Sequence, residues 1–176
     1  GNQTWYDGLD SVTSGKADII SNIRPSNARA NELNITDPFL IATYVIFTRE
    51  NGLSLSTLSD LSGKTLVQIN NLTLTNNIKR DYPNIIIREV KTPNEALIEV
   101  SSGNADGYVS IIPVATYHIA LSALSNIRVA GSTPYTAAFS IGVRKDLPIL
   151  SSILQKAMRN FSSIEKVEIN REWMTA

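Results

Sequence analysis

The sequence predicts an α/β fold with a mainly parallel sheet, and three observations carry that expectation. Short apolar runs rich in β-branched residues alternate with helical stretches, capping residues mark several helix starts, and Gly or Pro separates most neighbouring segments. The first helix is expected over residues 4–14, where Trp5, Leu9 and Val12 form one stripe that puts Trp5 in the core, with Gly15 as a stop. "ADII" (17–20) reads as a buried strand, and "ATYVIFTR" (42–49) as a second, closed by the turn pair Asn51-Gly52. A short helical turn, the Ser62-Gly63 turn and a strand over 64–69 follow, then a helix over about 73–80, Pro83 as a breaker and the strand "NIIIREV" (84–90).

In "TPNEALIEVSSG", Thr92, Pro93 and Glu95 form a capping box with proline at the first helical position, and Gly103 ends the helix. "ADGYVS" (105–110) is the next strand, followed by a helix from about Pro113 to Leu121 and the strands "NIRVAG" and "FSIGVRK". Asp146 is expected to cap a helix whose stripe is Leu150, Ile153, Leu154, Ala157 and Met158. Ser162 and Glu165 predict a second capping box for a last helix that carries Trp173.

Composition narrows the function classes. With 176 residues and 43% hydrophobic content the chain can bury one good core or two small ones. Sixteen basic residues balance sixteen acidic ones without runs of like charge, which gives no support to nucleic acid or an anionic membrane surface as partner. No stretch approaches the roughly 18 apolar residues of a membrane span, and "GNQTWYDGLD" has neither a basic nor an apolar leader region. The absence of cysteine excludes disulfides and thiolate chemistry, and His118 alone cannot build a histidine metal site, so no metal and no cofactor is expected. No nucleophile elbow or carboxylate pair supports catalysis. The N-x-S/T triplets at Asn2, Asn34, Asn71 and Asn160 are expected by chance in an Asn-rich chain.

The ordered set "TWYDGLDSVTSGKADII", "NIRPSNARANELNITDPFLIATYVIFTRE", "LSDLSGKTLVQI", "NEALIEVSSGNADGYVSIIPVATYHIA", "AAFSIGVRKDLPILSSILQKAM" and "EINREWM" resembles the type 2 periplasmic-binding, or Venus flytrap, fold of solute-binding family 3. It is most similar to the version found in bacterial membrane-bound sensors, because the run from Asp18 to Arg29 has the short form of those sensors. The resemblance implies lobe 1 from residues 1–43 and 138–176, lobe 2 from 44–137, and a ligand cleft between them. Family members begin lobe 1 with a strand-helix-strand unit that this sequence lacks. Either the chain begins inside the domain or another chain or copy completes the sheet, and an incomplete sheet favours strand exchange or homodimerisation.

The resemblance also implies a site. Arg29 matches the arginine that grips a ligand carboxylate, a task suited to a planar guanidinium that keeps its charge in a partly desolvated cleft. Arg24 either adds a second positive group for a doubly anionic ligand or pairs with Asp37, while Ser21 and Asn22 offer further donors and Ser26 caps the following helix. From lobe 2, Asn71 and Thr73 lie at a helix N-terminus that favours an anion, although either could be a plain N-cap. Tyr108, Ser110 and Tyr135 could line the cleft or pack in the core. Amino-acid-binding relatives place an acidic residue at the position of Ile111, so an α-amino acid would lose its ammonium partner. The expectation is therefore the extracytoplasmic sensing domain of a bacterial signalling protein, located at the periplasmic face of the inner membrane, binding a small anionic solute and leading to a membrane-linked output domain. The alternatives are a free solute-binding protein of an ABC transporter and a degenerate module that works through protein contacts.

Overall fold

Helix α1 (Trp5–Thr13) opens the chain in a computed structural model that describes residues 5–160, without the side chains of Trp5, Tyr6 and Asn27. The expectations for the Trp5 side chain, the Ser162–Glu165 box and the helix of Trp173 lie outside the described residues. Two compact units divide the chain: Gly1–Ala42 with Ala137–Ala176, and Thr43–Thr136. The chain passes from one unit to the other inside β3 (Leu40–Arg49) and again inside β7 (Ile127–Arg144).

The first unit is organised around the last residues of β7. These lie between β1 (Ile19–Ile23) and β2 (Leu33–Ile35), which both run antiparallel to β7 and are joined by the short helix α2 (Asn27–Glu32). Val12, Ile23 and Leu33 are fully buried and form the core, with Leu9, Ala17, Ile20 and Ile35 packed on it. Gly142 permits the close approach of these layers, since a Cβ there would stand 3.0 Å from both Ile20 Cγ2 and Leu33 Cδ1. Helix α6 (Pro148–Asn160) begins two residues after Asp146. Asp146 is therefore not its cap; the carboxylate accepts from Arg144, which holds it below the usual carboxylate range. The expected stripe also loses Ile153, which is 59% exposed beside Ile149, whereas Leu150, Leu154, Ala157 and Met158 are half-buried. Leu150, Leu154, Ala157 and Met158 follow an i, i+4, i+7, i+8 spacing; Ile153 falls on the flank occupied by Ile149, one turn earlier.

The second unit has a parallel core. Strand β4 (Thr65–Ile69) pairs in parallel with β5 (Ile86–Val90) and with β6 (Gly107–Ile111), while β3 runs antiparallel to β6 with Phe47 opposite Tyr108. Parallel pairing thus joins β5, β4 and β6, whereas β1 and β2 pair antiparallel with β7 and β3 antiparallel with β6, so the sheet structure is mixed rather than mainly parallel. Helices α3 (Thr73–Asp81) and α4 (Pro93–Ser102) make the crossovers that parallel neighbours require, and α5 (Ile112–Leu121) follows β6 directly. Val67, Ala96, Leu97, Val100, Ala105 and Tyr108 form the core of this unit.

Local chemistry explains the ends of these elements. Thr92 Oγ1 accepts from Glu95 N at 3.2 Å, and Gly103 closes α4 at φ 84°, a left-handed conformation that costs glycine least. The expected box is only half made, because the Glu95 carboxylate accepts from Lys91 N instead of Thr92 N. A complete box sits elsewhere, on the 3₁₀ turn Leu58–Leu61, where Asp60 Oδ2 accepts from Ser56 N at 2.8 Å and Thr57 N at 2.9 Å. Those two backbone donors hold the Asp60 carboxyl below its ordinary value. The strands expected at "NIRVAG" and "FSIGVRK" are one continuous strand, β7.

Candidate functional site

The candidate residues of the first unit are gathered by an irregular strand end. Ile19 and Ile20 pair with Val143 and Gly142, but the register shifts before Ile23 meets Ser140, so Ser21 and Asn22 bulge out of the ladder. Asn22 adopts φ 57°, a left-handed conformation that Asn tolerates better than most residues because its short amide bonds locally. The bulge leaves Ser21 and Asn22 exposed, while Ile23 is fully buried and anchors the segment.

Beyond Ile23 the loop braces itself. Ser26 Oγ accepts from Arg29 N at 3.3 Å and caps α2, as the sequence predicts. Arg29 Nη1 donates to the Arg24 carbonyl at 2.9 Å, tying the helix back to the strand end. The Arg24 guanidinium carbon lies 5.8 Å from the centroid of the Phe139 ring, within cation–π range. Both arginines are half-buried. Asp37 accepts from Arg159 Nε of α6 at 3.0 Å, and its N–H donates to Gln155 Oε1 at 2.8 Å. Arg24, Arg29, Ser21 and Asn22 therefore belong to one self-supported loop with two guanidinium groups.

In the second unit the candidates divide. Asn71 is exposed at φ 57° and Thr73 is the exposed first residue of α3. Neither is an N-cap: Leu72 occupies that position and makes no side-chain capping bond. The leading N–H groups of α3 lack an intrahelical partner, and its first turn carries no acidic residue, so the helix start is chemically suited to an acceptor. Thr75, which the sequence reading did not single out, is buried and donates through Oγ1 to the Ile69 carbonyl at 2.7 Å.

Tyr108 and Ser110 lie within β6, which is buried at all five positions. Tyr108 is 2% exposed in the core cluster, so its side chain packs against Val67 and Leu97 rather than lining an open surface, and burial pushes its phenol up. Ile111 ends the same strand, buried and without a charge to offer an ammonium group. Asp106 is a brace: its carboxylate accepts from Thr65 N at 2.9 Å and its carbonyl from Thr48 Oγ1 at 2.8 Å. Tyr135 donates to Asp81 Oδ2 at 2.8 Å. Burial first, and then the Asp81 contact, push its phenol well above the ordinary range, while Arg80 and then Tyr135 hold Asp81 low.

Two surface cavities fall elsewhere. One, about 450 Å³, is lined in the first unit by Leu9, Asp10, Thr13 and Glu32; the other, about 270 Å³, is lined in the second unit by Leu58, Tyr82 and their neighbours. Neither includes a candidate residue. Among the described residues no cluster of His, Asp and Glu could hold a metal ion, and no helix is long and apolar enough to cross a membrane.

No protein-family model matches the chain. The virulence sensor protein BvgS of Bordetella pertussis is 26% identical over 163 residues, which cover 92% of this chain and 13% of BvgS. The crystal structure of the periplasmic VFT2 domain of that protein superimposes with a TM-score of 0.82 at 25% identity, covering 98% of this chain and 74% of the domain. The chain has the Venus flytrap fold. An ancestral arginine-binding protein bound to arginine has the same fold, with a TM-score of 0.71 at 22% identity over 98% of this chain and 78% of that one. A histidine kinase sensor domain similar to periplasmic binding proteins has it too, at 0.73 and 21%, over 97% and 75%. The Venus flytrap here thus spans 13% of the curated relatives it matches and about three quarters of the solved domains.

Proposed function

We propose that the chain is the periplasmic, ligand-sensing domain of a bacterial transmembrane signalling protein, of the sensor histidine kinase or diguanylate cyclase type. It recognises a small anionic solute, is not itself an enzyme, and passes its state to an output domain elsewhere in the full protein. The observation that carries the sensor reading is the likeness to the BvgS periplasmic domain across 98% of the chain. The anion reading is supported by the loop of the first unit. Arg29 meets a carboxylate through its planar fork, and Ser21 and Asn22 add donors. Taken by itself, the second unit carries N–H groups suited to an acceptor at the start of α3, where Thr73 is the first helical residue and Asn71 lies just before the N-cap. Buried, uncharged Ile111 argues against an α-amino acid as ligand, because an ammonium group would find no acid there. A solute with higher affinity for one conformation shifts the population toward it, which is all a sensor requires.

A free solute-binding protein is the second reading, favoured by the fold likeness to arginine-binding proteins. A thermal-shift screen against small carboxylates and inorganic anions, repeated on Arg29→Ala, tests the anion reading. A solute that binds only the folded chain contributes about 2.7 kcal/mol at a hundredfold excess over its Kd. The expected result is a rise in Tm with at least one anion that Arg29→Ala abolishes. A well-folded chain that no anion shifts overturns the anion reading and leaves a module acting through protein contacts, with homodimerisation the first such contact to test. The full gene product separates sensor from transporter component, since only the sensor carries a membrane segment and output domain.

A further inference from the structure

We infer that the outer face of α5 is a self-association surface, on which a second copy of the chain docks through Tyr117 and Leu121. The inference goes beyond the anion reading and does not depend on it. Helix α5 (Ile112–Leu121) contains no Asp, Glu, Lys or Arg. Its inner side is accounted for: Ala115 is fully buried, and Ile119 packs on the core cluster of Val67, Leu97 and Tyr108. The outer side lacks the polar residues that a solvent-facing helix side ordinarily carries. Val114, Tyr117 and Leu121 follow an i, i+3, i+7 spacing and are exposed, Tyr117 by 64% and Leu121 by 67%, and Thr116 and Ala120 are exposed as well. The hydroxyls that could dress this side are spent elsewhere. Thr116 Oγ1 donates to the Ile112 carbonyl at 2.9 Å, and Ser122 Oγ, just past the helix, donates to Asn94 Oδ1 of α4. Scattered apolar side chains on a surface need no explanation, but one whole side of a helix does.

Charge and area select the occupant. A lipid surface calls for basic residues beside the apolar face, and a charged protein partner calls for complementary charge; α5 offers neither. A second copy brings an equally uncharged face. A two-fold axis lets Tyr117 of one protomer cover Leu121 of its partner and the reverse, and the small side chain of Ala120 permits close approach of the two helices. The sixteen basic and sixteen acidic residues cancel, so copies meet without net repulsion. The five exposed side chains present on the order of 400 Å² per copy, about 800 Å² in all, which falls below the ~1,200 Å² of stable complexes and fits a weak, reversible dimer.

Sedimentation velocity of the whole chain over a concentration series tests this. The native chain is expected to shift from monomer toward dimer as concentration rises, without weakening on added salt, because no ion pair holds the contact. Tyr117→Glu and Leu121→Glu each place an unpaired charge in the contact and are expected to raise the dissociation constant at least ~10-fold with Tm unchanged. Ile149→Glu, at an exposed position of α6 in the first unit, is the control and is expected to leave the dimer intact. Should an α5 variant fail to fold, Ala120→Cys decides, because the chain holds no other thiol. A disulfide between copies that forms faster than from Ser152→Cys on exposed α6 supports the contact. A chain that stays monomeric at every concentration, a dimer that the folded α5 variants leave unchanged, or a cross-link no faster than from Ser152→Cys overturns the inference. A monomer that binds phosphatidylcholine vesicles, and loses them in Leu121→Glu, assigns the face to lipid and overturns self-association as well. The anion reading stands or falls separately, on Arg29→Ala.

Discussion

The two units handle the same kinds of residue in opposite ways. In the first, Ser21 and Asn22 stand on a strand, yet a bulge lifts them out of the ladder and leaves them exposed. In the second, Tyr108 and Ser110 also stand on a strand, and the regular pairing of β6 between β3 and β4 buries both. A hydroxyl or amide in a strand is therefore available for recognition where the register breaks, and becomes packing where it does not. The strength of that contrast can be measured.

The largest effect is expected at Tyr108. Tyr108→Ala empties the core of the second unit and should cost about 3–5 kcal/mol in denaturant-induced unfolding. A variant with native stability and altered ligand affinity would instead make Tyr108 a contact residue and erase the contrast. Next comes Asn22, where the conformation rather than burial carries the cost. Asn22→Val forces a β-branched residue to φ 57° and should lose about 1–2 kcal/mol, whereas Asn22→Gly should be neutral or slightly stabilising. Equal stability of the two variants would show that the bulge relaxes freely.

The smallest effect lies in pH dependence, at Tyr135. Its folded pKa is raised, so its contribution is complete below the unfolded value of about 10 and declines as pH rises beyond it. Absorbance titration should show a fraction of the tyrosines, Tyr108 and Tyr135 among them, resisting ionisation until the chain unfolds, and Tyr135→Phe should reduce that resistant fraction by one phenol. At the acid end the sign reverses. Asp81 is held low, so its contribution persists at neutral pH and is lost as pH falls through its depressed folded value.

Much of the architecture is legible in the sequence because local chemistry writes it. Thr92, Pro93 and Gly103 bound α4 through a cap, a fixed φ and a left-handed stop, all properties of single residues. The Thr57–Asp60 box has the same spacing, but the turn it caps is only Leu58–Leu61, too short to carry the apolar periodicity that marks a helix start. Pairing partners are less accessible. Nothing in "NIRVAG" or "FSIGVRK" reveals that they are one strand, and the half-made box at Glu95 depends on Lys91 N competing with Thr92 N for one carboxylate. At the candidate site, the sequence identifies the two arginines; the support of Arg24 by Phe139 comes from long-range strand pairing and is visible only in three dimensions.

The hydrogen bond from Arg29 Nη1 to the Arg24 carbonyl turns the segment between them into a small ring closed without a covalent bond. A ring of this kind has spent its ordering entropy before any solute arrives. Association should then proceed without a slow rearrangement of the loop, with single-exponential rates that rise in proportion to ligand concentration, so that solutes of different affinity differ mainly in how long they stay.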